Sequence, residues 1–265
     1  MQSNLEIPVV TIWCLCYNHE SYIRQCLDGF VMQKTNFPFV AIVHDDASTD
    51  KSAEIIREYA ERYPNIIKPI FETENQYSKG TLDHIMQEAC KASECKYIAL
   101  CEGDDYWIDP LKLQNQVDFL ETHLECGMCY TRVKQYDETK KIFIDEWGGP
   151  AETFDDLLSK NTIPTLTSII RANILNDYFA EICPESKGWK LGDYPLWLYT
   201  SYSSKVKFIN EITGMYRRSA NTASHPQSVE GHLNFVLSAL SIKHFYMQKK
   251  RAYIKTAYYI RSMVY

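Results

Sequence analysis

Tyr97-Ile98-Ala99-Leu100-Cys101-Glu102-Gly103-Asp104-Asp105-Tyr106-Trp107 is an apolar run that ends abruptly on three carboxylates within four residues. An unpaired charge is costly to bury, so Glu102, Asp104 and Asp105 must leave the core where the strand stops. Open α/β sheets bind their ligands at the carboxyl ends of strands. Adjacent carboxylates there suit a hard divalent cation, which also takes substrate phosphates. The same residues would also make an ordinary polar turn before a helix, so their surroundings decide.

Upstream, residues 9–15 form a nearly continuous apolar run, a first strand. Tyr22, Ile23, Cys26, Leu27, Phe30 and Val31 follow at the three-and-four spacing of an amphipathic helix. Residues 39–43 read as a second strand that runs into His44-Asp45-Asp46-Ala47-Ser48-Thr49-Asp50. A helix carrying Ile55, Ile56, Tyr59 and Tyr63 stops at Pro64, a third strand covers 66–71 and a helix covers 81–92. After the acids, Asp109-Pro110 predicts a capped helix start leading into 111–122. Strands alternating with helices predict a parallel, doubly wound sheet with right-handed crossovers.

Beyond residue 125 the rhythm changes. Residues 126–136 and 142–147 read as an antiparallel pair, Thr153 as the cap of a short helix and 166–170 as a strand. Residues 189–202 mix loop and helix, 206–209 and 213–217 read as two strands, and 229–265 is helical in pattern. The expected fold class is therefore α/β, a mostly parallel sheet flanked by helices, with a small antiparallel portion and a helical C-terminus. The expected organisation is one domain over 1–228, with halves 1–125 and 126–228, and a helical appendage at 229–265.

A chain of 265 residues can bury a sizeable core. A net charge of −6 argues against a nucleic-acid partner, which calls for a basic face. Nine cysteines, several inside apolar runs (Cys14, Cys16, Cys101, Cys129), suit reduced buried thiols rather than a disulfide framework. Cys126-Gly127-Met128-Cys129 has no second Cys or His pair at zinc-site distance. No leader-like segment opens the sequence and no run of about 18 apolar residues is present. These features together predict a cytoplasmic location. The 19 Tyr and 5 Trp permit stacking on sugars without requiring it.

Three strand ends carry polar clusters: Tyr17-Asn18-His19-Glu20, Asp45-Asp46 and Glu102-Gly103-Asp104-Asp105. In a parallel sheet they converge on one crevice. No G-x-G-x-x-G or Walker sequence stands between them, so a bound phosphate would be held through a cation.

These clusters, with Glu74-Asn75-Gln76 and Asp109-Pro110-Leu111-Lys112-Leu113, resemble the nucleotide-binding half of a family 2 glycosyltransferase. The family has the GT-A fold, is inverting, and the type resembled is that of bacterial polysaccharide synthesis. The resemblance implies a nucleoside diphosphate sugar donor, with UDP-hexose or UDP-N-acetylhexosamine the expected kind. It also implies a saccharide or lipid-linked oligosaccharide acceptor and a Mg²⁺ or Mn²⁺ cofactor. Tyr17, Asn18, Glu20, Asp46, Lys79, Asp104, Arg217 and Arg218 are the implied donor-binding residues, with Asp105, Asp104 and His225 on the metal. Asp193, in Leu191-Gly192-Asp193-Tyr194-Pro195-Leu196-Trp197, is the implied base, with a helix cap as its alternative role.

Where many members carry Arg-Asn this chain has Leu82-Asp83, with Lys79 the candidate replacement, and Leu15-Cys16 precedes Tyr17 in place of a Thr or Ser. Those departures keep a non-catalytic nucleotide-sugar-binding subunit as the alternative reading. A sugar nucleotidyltransferase would need a Gly/Lys/Arg-rich loop near the N-terminus, which is absent. Trp189 and Trp197 are candidates for stacking on sugar. The basic, aromatic tail helix leaves room for peripheral contact with the inner face of a membrane.

Overall fold

The structure, a computed structural model, describes residues 7–218 and 228–263, with side chains to residue 251. Four parallel strands form its first half: β1 (Val10–Cys16), β2 (Phe39–Asp45), β3 (Ile67–Phe71) and β4 (Tyr97–Leu100). They are joined by α1 (Ile23–Val31), α2 (Ser52–Arg62), the single turn α3 (Gln76–Lys79) and α4 (Leu82–Ala92). All four strands end on the same side, as the alternating pattern predicts.

The second half adds β5 (Tyr106–Trp107), α5 (Lys112–Thr122), β6 (Cys126–Asp137), β7 (Ile142–Trp147) and α6 (Phe154–Ser159). Then follow β8 (Ile169–Arg171), α7 (Ala172–Ile182), α8 (Asp193–Ser203), β9 (Lys205–Arg218) and α9 (Val229–Met263). The strands join into one sheet of order β3-β2-β1-β4-β8-β6-β9-β5, with β7 paired to β6. β8 is antiparallel to both β4 and β6, so it welds the two halves together.

Both faces of the parallel half are covered, and successive β1 side chains feed different cores. Val10, Ile12, Cys14 and Cys16 pack with Leu27, Phe30 and Trp107, whereas Trp13 packs with Leu100, Met128 and Trp197. The eight cysteines up to Cys129 are all buried free thiols, and Cys183 is exposed. Trp197 is core and so is not placed for stacking on sugar, while half-buried Trp189 packs edge-on against Phe245 of α9 at 5.4 Å. Ile242 and Tyr246 bury the first part of α9 in the Trp197 core.

Several boundaries differ from the sequence expectation. The two strands expected at 206–209 and 213–217 are one strand, β9, because pairing with β6 continues through register shifts at Tyr130/Arg132 and Arg132/Val133. Tyr106-Trp107, assigned to no element by the sequence, pairs antiparallel with Met215 and Gly214. α5 begins at Lys112, and Asp109 instead accepts from the Leu111 amide at 2.9 Å. Lys112 is fully buried: its Nζ donates to Gln116 Oε1 at 2.8 Å and lies 4.2 Å from the Trp107 ring centre. Burial lowers its pKa to about 8, against an opposing pull from Cys101, Cys129 and Asp109.

Candidate active site

The chain leaves β4 without leaving β1. Cys101 N–H donates to Trp13 O at 3.1 Å and Gly103 N–H to Leu15 O at 2.8 Å, and Asp105 N–H then turns back to Glu102 O at 3.1 Å. A Cβ on Gly103 would stand 2.9 Å from His19 Nδ1 and 3.0 Å from Leu15 O, so the close approach needs glycine. This turn gathers Glu102, Asp104 and Asp105 with carboxylate oxygens within 4.8 Å of one another.

Such crowding disfavours ionisation. Burial, then the charges of Asp104 and Glu102, raise Asp105 well above the ordinary carboxylate range, while the Arg217 amide and charge oppose them. Glu102 is open to the crevice yet surrounded by protein, and burial, Asp104 and Asp193 raise it to about 8. Three hard oxygen donors at one point, disfavoured as bare anions, fit Mg²⁺ or Mn²⁺. Glu102, left out of the implied metal set, belongs to this cluster by position.

Arg217 binds this turn from β9. Its N–H donates to Asp105 Oδ1 at 2.8 Å, its Nε to Glu138 Oε1 at 2.9 Å, and its remaining nitrogens to Asp104 O and Gln25 Oε1. The guanidinium lies between the Tyr22 and Tyr106 rings, 5.1 and 4.4 Å from their centres. Arg217 is thus buried and fully engaged, whereas Arg218 is exposed. His225 lies outside the described residues.

The loops after β1 and β2 clasp each other. Asn18, in the left-handed region at φ 55°, accepts from Thr49 N–H at 2.8 Å and donates its own N–H to Ser48 Oγ at 2.9 Å. Glu20 accepts from Lys51 N–H at 3.0 Å. Tyr17 beside them is exposed at the crevice. Asp46 is buried and accepts from the first amides of α3, Gln76 at 2.5 Å and Tyr77 at 3.0 Å. Lys79 forms an ion pair with Glu74. Asn18, Glu20 and Lys79 therefore all have protein partners.

Across the crevice Asp193 opens α8. It is the first helical residue after Gly192, so its side chain does not serve as the expected cap. Oδ2 accepts from Thr165 Oγ1 at 2.7 Å and Oδ1 from Tyr194 N–H at 2.6 Å. Burial raises its pKa, against the lowering pull of Thr165, Tyr194 and Trp197. Asp193 and Glu102 line one cavity of about 110 Å³ with Trp13, Leu100, Phe179 and Asp83. Most of these residues were not readable as site residues, because they come from separate elements and carry no motif.

The family described as Glycosyl transferase family 2 matches residues 11–179, a stretch that contains the acid turn and both clasped loops. The chain belongs to glycosyl transferase family 2. An uncharacterized protein of Mycobacterium tuberculosis is 35% identical over 82% of this chain, which spans 60% of that relative. An Escherichia coli protein, UDP-Glc:alpha-D-GlcNAc-diphosphoundecaprenol beta-1,3-glucosyltransferase WfaP, is 28% identical over 82% of this chain and 80% of its own length. Staphylococcus aureus TarS 1–349 in complex with UDP-GlcNAc superposes with TM-score 0.63 at 17% identity, covering 87% of this chain and 65% of that one. That likeness establishes the GT-A fold of this family 2 chain.

Proposed function

We propose that this family 2 chain is a metal-dependent, inverting glycosyltransferase. It moves a hexose or N-acetylhexosamine from a nucleoside diphosphate sugar, best a UDP-sugar, to a saccharide hydroxyl in cell-surface polysaccharide synthesis. The observation that carries this reading is the single cavity lined by both Glu102 of the acid turn and Asp193.

Asp193 takes the proton of the acceptor hydroxyl as its oxygen attacks the anomeric carbon. The bond from that carbon to the nucleoside diphosphate breaks on the opposite face, and the configuration inverts. Thr165 and the Tyr194 amide fix the Asp193 carboxylate for this task. Asp105 and Asp104, with Glu102 beside them, would hold the cation, which when bound supplies Lewis-acid stabilisation of the leaving diphosphate. Arg217 positions Asp105, while Arg218 is assigned to the diphosphate and His225 to the metal. Tyr17 is assigned to the face of the base and Asp46 to its edge, with Asn18, Glu20 and Lys79 shaping the donor loops.

An acceptor carried on a lipid diphosphate is supported by the activity for which the Escherichia coli relative is named. No described helix is long and apolar enough to cross a membrane. Exposed Val229, Leu233, Leu237 and Leu240 on α9 give peripheral contact with a bilayer a surface to use.

Transfer or slow hydrolysis of UDP-sugars in Mn²⁺ tests the assignment. Asp193→Asn should lower turnover by roughly 10²–10⁴ with UDP affinity unchanged within a few-fold. Loss of UDP binding in that variant would remove Asp193 from the role of base. Turnover that stays at background for every donor in the wild type would favour the non-catalytic subunit.

A further inference from the structure

Asp83, the second residue of α4, lines the cavity opposite Asp193. Burial raises its pKa and Glu185 adds to the effect, with no hydrogen-bonded group of the protein offsetting either. Tyr178 of α7 lines the same cavity, and its hydroxyl is buried without a hydrogen-bond partner. That hydroxyl has Tyr246 as its foremost electrostatic neighbour, followed by Asp83 and Asp193. A buried hydroxyl left unpaired costs about 1–3 kcal/mol, so the Tyr178 hydroxyl, with the half-buried Asp83 carboxyl lining the same cavity, points to a polar ligand there.

The remaining walls say what kind of ligand. Trp13 and Phe179 stack at 6.3 Å with planes 10° apart, and Leu15, Leu100, Leu175 and Leu196 complete an apolar lining. By the measure in which one water needs ~10–15 Å³, the 110 Å³ cavity has room for several. An apolar wall facing a few polar groups matches a pyranose ring, whose C–H faces are apolar and whose rim is hydroxylated. The charged lining is three carboxyl groups, Asp83, Glu102 and Asp193, and no described lining residue is Lys, Arg or His.

We propose that Asp83 with Tyr178 pairs with hydroxyls of the transferred sugar in this cavity and selects neutral hexoses over uronates. The inference rests on the donor reading above. A hydroxyl can satisfy Asp83 in either protonation state, as donor to the carboxylate or acceptor from the acid. A sugar carboxylate beside Asp83 and Asp193 meets two acids and no described Lys, Arg or His. The cation assigned to the acid turn is engaged by the diphosphate, so selectivity arises from repulsion as well as from fit.

The full chain in Mn²⁺ is titrated calorimetrically with UDP, four neutral UDP-sugars (glucose, galactose, N-acetylglucosamine, N-acetylgalactosamine) and UDP-glucuronate. Wild type should prefer its best neutral donor over UDP-glucuronate at least tenfold. Asp83→Ala should weaken that donor five- to twentyfold while UDP affinity stays within twofold. Asp83→Lys should shrink or reverse the discrimination against glucuronate, and Asp83→Asn should retain most neutral-donor affinity. Melting temperatures confirm that each variant is folded. UDP binding with unchanged donor ratios in Asp83→Ala, or equal wild-type affinity for glucuronate, overturns this inference alone. Absence of UDP binding by the wild type overturns the donor reading and this inference with it.

Discussion

The main-chain N–H of Arg217 donates to the Asp105 carboxylate at 2.8 Å, joining positions 112 residues apart. The same residue reaches Asp104 O through its side chain, so one β9 residue fixes two members of the acid cluster. Arg217→Met keeps the amide but removes the guanidinium from Glu138, Gln25 and Asp104. Breaking one side of a buried ion pair typically costs about 3–5 kcal/mol. Urea unfolding should show a loss of that order, and metal-dependent UDP affinity should fall at least tenfold. A variant with wild-type stability and affinity would mean that the acid turn holds itself.

Cation binding should depend on pH in a range where ordinary carboxylates are already ionised. Glu102 is raised to about 8 and Asp105 is raised by burial and by its neighbours. Ligands must be deprotonated to bind, so Mn²⁺ affinity should increase from pH 6 to pH 8, by up to about tenfold per pH step for one released proton. Calorimetry in buffers of different ionisation enthalpy should detect that release. Affinity already flat above pH 5.5 would contradict the raised values.

Lys112 gives a stability signature at alkaline pH. Its pKa is about 8 in the folded chain and an ordinary 10.5 when unfolded. Below pH 8 both states carry the charge, and burying it costs the fold on the order of 3 kcal/mol. Between pH 8 and 10.5 the folded state has released its proton and the unfolded state has not, so this cost disappears as pH rises. Lys112→Met should therefore change most relative to wild type across that window, in parallel urea titrations. A constant difference between the two from pH 7 to 10.5 would contradict a buried charged amine.

Gly103→Ala tests the tightness of the acid turn. The new methyl would meet Leu15 O, a backbone atom, at 3.0 Å. Relief requires moving the turn, so donor binding should weaken at least tenfold, with stability falling by about 1–3 kcal/mol. UDP titration and thermal melting read the two effects separately.

The strand ends were legible because apolar runs that stop on acids have few explanations in a buried parallel sheet. Val10–Cys16, Phe39–Asp45 and Tyr97–Leu100 stand within a few residues of where periodicity places them. β9 was not legible as one strand. Asn210 and Glu211 interrupt its apolar pattern, and only pairing to β6 carries the chain through. The resemblance implies a donor contact for Arg217, yet its side chain is claimed by Glu138 and Gln25 from distant segments. Tyr178 carried no pattern and Asp83 only a departure from the family's Arg-Asn, since their meaning lies in sharing a cavity.

The grip of β9 on the acid turn also sets an order of events during synthesis. The ribosome releases the acids well before the strand that pins them, and nascent domains fold as their segments emerge. Until Arg217 arrives, Asp104 and Asp105 lack its hydrogen bonds and the anions stand without their fixed frame. The donor site is therefore completed late, by the half of the chain assigned to the acceptor. A ribosome-stalled chain ending before residue 205 should hold a formed parallel sheet and lack a finished centre.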